Sequence, residues 1–288
     1  MAKFESRARV PVVQRTDNSK RQTLARTTSE FLFEEYLALG RIAFDYEPEI
    51  QGSSKRPDYR LGSAEGGALV EVKEFAPSRT LPIHSFGAFD PYPQIREKIN
   101  SASRKFRSLK NYPCSLLLCN VGGQLVRLDS PDVVMGAMLG DLGWQFRIDV
   151  TTGSAIEDPQ PTFLGGGKMR DYKRNQPQNT TVGAILVLEL FELGVKRLAV
   201  DERQLEIENG RPLTEAESGK LLKKAGQRVL RVKYHENPYA RVRFPSGFFI
   251  GAFDEHWTWN AEGVLERSFV GPELAELEDA CHRAGLST

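Results

Sequence analysis

Two carboxylates and a lysine stand close together in RPDYRLGSAEGGALVEVKEF, residues 56–75. Pro57-Asp58 lies near its start and Glu71-Val72-Lys73 near its end. Glu71 and Lys73 are two apart, so on a strand both side chains point to one face. Val70, Val72 and Phe75 are apolar and hold that strand in a core. The turn at SAEGG brings the chain back, which lets Asp58 stand beside Glu71. Two carboxylates and the carbonyl of Val72 offer the hard oxygen ligands that Mg²⁺ takes. Lys73 beside them would orient a water or offset charge building on a phosphorus. The same letters also describe a cross-strand carboxylate–lysine pair on a solvated hairpin. The flanking elements have to decide.

Those elements follow from periodicity and punctuation. TSEFLFEEYLALG predicts a helix with Ser29 as N-cap and Gly40 beyond its end. Phe31, Leu32, Phe33, Tyr36, Leu37 and Leu39 give it a wide apolar face. IAFDYEPEI, PDYRL and ALVEVKEF predict three strands joined as an antiparallel meander. A Pro- and Gly-rich loop over 76–93 precedes a helix, IREKINSASRKFRSLKN, with Ile95, Ile99, Ala102, Phe106 and Leu109 as its stripe. CSLLLCNV is a short buried strand. The helix must cross over before that strand pairs, which suits a parallel neighbour. The expected fold is α/β, a mixed central sheet flanked by helices, with a C-terminal α+β extension packed on it.

Further on, SPDVVMGAMLG predicts a helix with Ser130 as N-cap and Pro131 at its first position. Residues 153–181 are rich in Gly, Pro, Gln, Asn and basic residues. They read as a long loop, either functional or disordered. VGAILVLEL and RVLRVKYH read as strands, and so does the 241–253 segment. Thr214 and Glu217 form a capping box before a helix that ends at Gly226. A last helix runs from Pro272 towards Gly285. The division is a basic tail over 1–28, a core over 29–195 and an extension over 196–288.

Net charge is +1, from 39 basic and 38 acidic residues, so any nucleic-acid surface must be local. Three cysteines (Cys114, Cys119 and Cys281) form no disulfide or zinc pattern. Cys114 and Cys119 are five apart and face opposite sides of one strand. No apolar run spans a bilayer and no signal peptide is evident at the start, so a cytoplasmic location and no membrane partner are expected. The tail carries seven basic and two acidic residues, which suits a solvated tail or a phosphate-contacting arm.

Other chemistry is thinly represented. Pro131-Asp132 and the later Asp171-Tyr172-Lys173 repeat the letters of the first constellation without strands to present them. LGGGKM at 164–169 lacks the spacing and following helix of a phosphate loop. His84, His235, His256 and His282 are isolated. Phe248, Phe249, Phe253, Trp257 and Trp259 read as core packing. The helix over 95–110 carries six basic residues and one acid, either as a solvated face or as a phosphate contact. Lys168, Arg170, Lys173 and Arg174 in the long loop read either as closing over a phosphate backbone in the same way or as part of a disordered segment.

The strand-borne Pro57-Asp58 and Glu71-Val72-Lys73, within the order helix, three strands, helix, strand, resemble the PD-(D/E)XK nucleases, the restriction-endonuclease-like superfamily. The resemblance covers about residues 29–122. It implies a Mg²⁺-dependent DNA endonuclease that hydrolyses phosphodiester bonds with a metal-activated water, with Mn²⁺ able to substitute. Asp58, Glu71 and the Val72 carbonyl would hold the metal, and Lys73 would be the catalytic lysine. The superfamily often adds an acid from the first helix, here Glu34, with Glu30 next and Glu35 also available. Some members carry a glutamine four before a tyrosine in the next helix. Here Gln94 is followed by Lys98, so Gln94 stays a nucleic-acid contact together with Arg96, Lys98, Arg104, Lys105, Lys168 and Arg170. Double-stranded DNA is the expected partner, with a homodimer open. A catalytically silent nucleic-acid-binding module of the same fold is the alternative, and an interaction protein with a solvated hairpin is a third reading.

Overall fold

The computed structural model describes residues 26–63, 66–75, 90, 92–121, 127–145, 147–156, 160–171, 173–174, 176–214, 217 and 228–286. The tail over 1–25, most of the 76–93 loop with His84, and the helix expected after Thr214 lie outside them. The chain begins with α1 (Thr28–Leu39), β1 (Phe44–Tyr46), β2 (Tyr59–Leu61) and β3 (Ala68–Glu74). Then come α2 (Tyr92–Lys105), a 3-10 turn over Phe106–Ser108, β4 (Cys114–Cys119) and α3 (Pro131–Leu139). The expected order of helix, three strands, helix, strand is therefore present.

The first three strands pair antiparallel, Phe44 opposite Leu61 and Tyr59 opposite Val70. β4 lies parallel to β3, with Glu71 opposite Leu116, after the α2 crossover. β9 (Ala184–Phe191) is parallel to β4, and β10 (Val229–Glu236) is antiparallel to β9. β11 (Glu255–Trp259) and β12 (Leu265–Phe269) complete one mixed sheet of eight strands, ordered β1-β2-β3-β4-β9-β10-β11-β12. The chain is thus α/β, with helices on both faces. The C-terminal strands continue the same sheet past residue 195. No helix of the described residues is long and apolar enough to cross a membrane.

Strand alternation splits the interior into two layers. Tyr59, Leu61, Val70, Val72 and Leu117 pack under α1 with Phe33, Tyr36 and Leu37. Leu69, Leu116, Leu118, Ile185 and Val187 pack under α2 and α3 with Ile95, Ile99, Ala102 and Phe106. Cys114 falls in the second layer and Cys119 in the first, as their odd spacing requires. A third cluster joins Phe191 to Leu274, Leu277 and Cys281, between α4 (Leu193–Asn209) and α5 (Pro272–Arg283).

The structure corrects several expectations. Thr27, not Ser29, caps α1, and Glu30 returns its carboxylate to the Thr27 N–H at 2.7 Å. Thr27-x-x-Glu30 is itself a capping box in the sequence. Ser29 sits inside the helix and its hydroxyl donates to Glu74 Oε2 at 2.7 Å. The 153–181 stretch contains β6 (Gln160–Leu164), which pairs with β5 (Asp141–Gln145). It also contains the short pair β7 (Arg170–Asp171) and β8 (Gln176–Pro177). The 241–253 segment is a 3-10 turn, Ser246–Phe248, in irregular backbone that seats Phe244 and Phe249 in the α1 layer. Pro245, Gly247 and Gly251 break the ladder that its aromatic content suggests.

The hairpin between β2 and β3 sets the register of Asp58 against Glu71. Its last glycine is sterically required: a Cβ on Gly67 would lie 2.7 Å from Leu61 O and from Ser63 O. A Cβ on Gly66 would meet nothing within 4 Å. Gly67→Ala should therefore cost about 1–3 kcal/mol, while Gly66→Ala stays near wild type, as read from urea midpoints at unchanged slope.

Candidate functional site

Asp58 ends the approach to β2, one residue before the ladder begins, so its side chain is free to bond the β3 edge. Its Oδ2 accepts the Val72 N–H at 2.7 Å. The N–H and C=O of one strand residue share an edge, so the Val72 carbonyl is directed to the side where Asp58 lies. Val70 and Val72 bury towards α1, which turns Glu71 and Lys73 towards α2. Glu71 is 1% exposed. Lys73 Nζ lies 2.7 Å from Glu71 Oε1.

The second cation of the site comes from α2. Lys105 Nζ is 3.1 Å from Asp58 Oδ1 and also ion-pairs with Glu71 Oε2. Glu71 Oε2 receives no hydrogen bond of ordinary geometry among the described residues. Lys98, seven residues earlier, donates to the carbonyl of Glu74 at 2.9 Å and lies over the Phe75 ring. Seven residues of helix rise about 10 Å, and three residues of strand from Glu71 to Glu74 also span about 10 Å. α2 therefore lays two lysines along one edge of β3. Sequence reading places Lys105 only among the nucleic-acid contacts. The available signal was its i, i+7 spacing from Lys98, beside the apolar stripe.

Burial pushes the Glu71 carboxyl above its ordinary value, the Asp58 charge adds to that, and the pull of Lys105 and Lys73 does not cancel it. Burial draws the Lys105 ammonium down, but Asp58 and Glu71 outweigh it and raise it overall. Burial and the nearby Lys73 lower Lys98.

The other expected site residues go elsewhere. Glu34 accepts from Tyr59 O–H at 3.1 Å and pairs with Arg26, on α1's side of the sheet. Tyr59 and Asp58 are consecutive and point to opposite faces, so Glu34 does not join Asp58 and Glu71. Glu30 is spent on the helix cap, and Glu35 is exposed. Arg96 donates to Gly136 O at 3.2 Å and lies over the Tyr92 ring, so it clamps α2 to α3. Gln94 and Arg104 are exposed. Lys168 is tied by its backbone, its N–H to Ala137 O and its carbonyl to Asn179. Arg170 lies half-buried in β7. Among the described residues no group of three or more His, Cys, Asp or Glu is arranged to hold a metal.

Sequence reasoning also missed a groove of about 760 Å³ near the start of β3 and β4. Arg107, Lys110 and Arg241 line it with Gly66, Gly67 and Asn111. Its described lining contains no acid. Gly67 precedes Glu71 by four residues, about 13 Å of strand.

A second polar cluster lies on the same sheet face, three strands away. Arg231 and Lys233 of β10 share Glu189, at 2.6 and 3.3 Å, and Arg267 holds the fully buried Glu255 at 2.9 Å. Buried His235 is pushed down to about 3 by its burial, so it is neutral, and it stacks on Trp257. The cluster pairs its own charges and ties β9, β10, β11 and β12 together.

A hard cation fits the first cluster in part. Asp58, Glu71 and the Val72 carbonyl are the donors, and water or substrate oxygens would complete the shell. The convergence of Asp58 Oδ1 and Glu71 Oε2 on one cation, Lys105 Nζ, is the observation that favours it. Comparison with family models, curated proteins and solved structures returns no match.

A carboxyl whose folded value is raised favours the native state below its unfolded value, and that advantage is lost as pH climbs through the folded one. The melting temperature of Glu71→Gln relative to wild type should therefore rise as pH increases above 4.5. Thermal unfolding of both chains across pH 4–8 checks it, and a flat difference would remove the burial argument.

Proposed function

We propose that the chain is a Mg²⁺-dependent deoxyribonuclease of restriction-endonuclease-like type, an endonuclease that hydrolyses phosphodiester bonds. The observation that carries this reading is the meeting of Asp58, Glu71 and Lys73 on one sheet face, within a helix, three strands, helix, strand order. A bound Mg²⁺ would supply Lewis acidity and a more acidic water. Asp58 and Glu71 would hold it, with the Val72 carbonyl on the same edge. Lys73, 2.7 Å from Glu71 Oε1, would orient the attacking water and face the charge that builds on the phosphate. The leaving oxygen would depart as a 3′-hydroxyl. The groove with Arg107, Lys110 and Arg241 would take phosphates flanking the scissile one, a contact that needs no base sequence. Three cations on a lining whose described residues include no acid suit an extended polyanion.

A catalytically silent nucleic-acid-binding module is the second reading. It is favoured by the charge balance of the site, where two lysines already neutralise two carboxylates.

Lys73→Met should lower the cleavage rate by about 10²-fold or more with Mg²⁺ while leaving DNA binding intact. The assay uses supercoiled, linear and single-stranded DNA. Equal inertness of wild type and variant on every substrate would favour the silent module. Replacing both Arg107 and Lys110 with Gln should weaken DNA binding uniformly across sequences. It should also reduce the slope of log K against log salt by about 0.9 for each phosphate that is no longer neutralised.

A further inference from the structure

Lys105 stands where a cation bridging Asp58 and Glu71 would have to stand. Each carboxylate has one oxygen already engaged elsewhere: Asp58 Oδ2 takes the Val72 N–H, and Glu71 Oε1 takes Lys73. The two oxygens left, Asp58 Oδ1 and Glu71 Oε2, are the two that Lys105 Nζ contacts. An incoming ion and this ammonium therefore want the same pair of atoms.

The charges point the same way. Asp58 and Glu71 against Lys73 and Lys105 sum to zero. A divalent ion added with both lysines in place would leave an excess of two positive charges around a carboxylate that is 1% exposed. That arrangement is strongly unfavourable at low local dielectric. One lysine has to withdraw. Lys73 is fixed by β3, inside an eight-stranded sheet. Lys105 is the last residue of α2, and its ammonium sits on both oxygens the ion would take, whereas Lys73 engages only Glu71 Oε1.

We propose that Lys105 is a built-in competitor of the metal, whose ammonium fills the cation position until a divalent ion displaces it, and which then turns to the phosphate backbone of the substrate. This rests on the metal-site reading given above. Arg107 and Lys110, two and five residues further on, already open on the basic groove. A displaced Lys105 lies on the same stretch of chain. A polyanion that takes up the freed ammonium would strengthen metal binding, and the metal would strengthen polyanion binding by the same factor.

The test is Mn²⁺ binding to the full chain without substrate, followed by the decrease of the free-ion electron paramagnetic resonance signal. Lys105→Met keeps the stem and removes the charge, and should tighten Mn²⁺ by about tenfold or more. Lys55→Met removes an exposed charge three residues before Asp58 and should leave affinity unchanged. Adding Glu71→Gln to Lys105→Met should abolish binding, which locates the ion. If Lys105→Met binds Mn²⁺ no better than wild type, the competition is overturned and the metal site stands. If no variant and not the wild type binds Mn²⁺, the metal site and the competition fall together. Brief acetylation of the wild-type chain, read by mass spectrometry, makes the test independent of variant folding. Lys105 modification should rise several-fold when Mn²⁺ binds while Lys55 stays constant, and an unchanged Lys105 would overturn the proposal.

Discussion

Glu71 is an almost fully buried carboxylate, and the architecture around it is organised by the need to compensate that charge. An ionised carboxylate out of water is costly unless it is paired. β3 supplies one partner, Lys73, by strand periodicity alone. The other, Lys105, has to be brought across from α2. Asp58 then occupies the open edge where β2 begins, takes a backbone N–H that the ladder leaves unpaired, and adds a second negative charge that Lys105 also pairs. Each neighbour contributes a charge or a hydrogen bond, and none replaces another.

That compensation depends on a match between two rises. A helix crossing antiparallel to a strand places residues seven apart beside strand residues three apart. Lys98 and Lys105 use that match along one edge of β3. The apolar stripe of Ile95, Ile99, Ala102 and Phe106 sets the helix rotation, because all four are buried against the sheet. The lysines ride on the rim of the stripe. The packing that stabilises the helix therefore also aims its charges. The raised Glu71 carboxyl indicates that the compensation is incomplete, and a carboxylate held at an energetic cost is a common feature of sites that bind or react.

The far half of the sheet solves the same problem differently. There Glu255 and Glu189 are paired by Arg231, Lys233 and Arg267, residues of neighbouring strands rather than of a crossing helix. Alternation along β10 places Arg231, Lys233 and His235 on one face, a pattern visible in RVLRVKYH. The pattern reports a buried polar layer, but the carboxylates that close it come from β9 and β11.

The sequence by itself determined what local rules govern. Alternation in ALVEVKEF placed Glu71 and Lys73 together, and the glycine hairpin returned Asp58 to them. Helical spacing identified the buried stripe of α2, and a crossover before CSLLLC implied a parallel neighbour. Tertiary structure decided everything that required knowing which face meets which. Glu34 looked available, yet α1 packs on the layer that contains Tyr59, so the sheet stands between Glu34 and Glu71. Lys105 looked like one solvated charge among six, yet the packing of α2 aims it between two carboxylates. The Gly-rich stretch after residue 153 forms short strands because β5 offers a partner, and composition does not encode a partner. The physical reason is range. Periodicity is set by neighbours a few residues apart, whereas the charge balance around Glu71 joins residues 58, 71, 73 and 105, which only the packed sheet and helix bring within bonding distance.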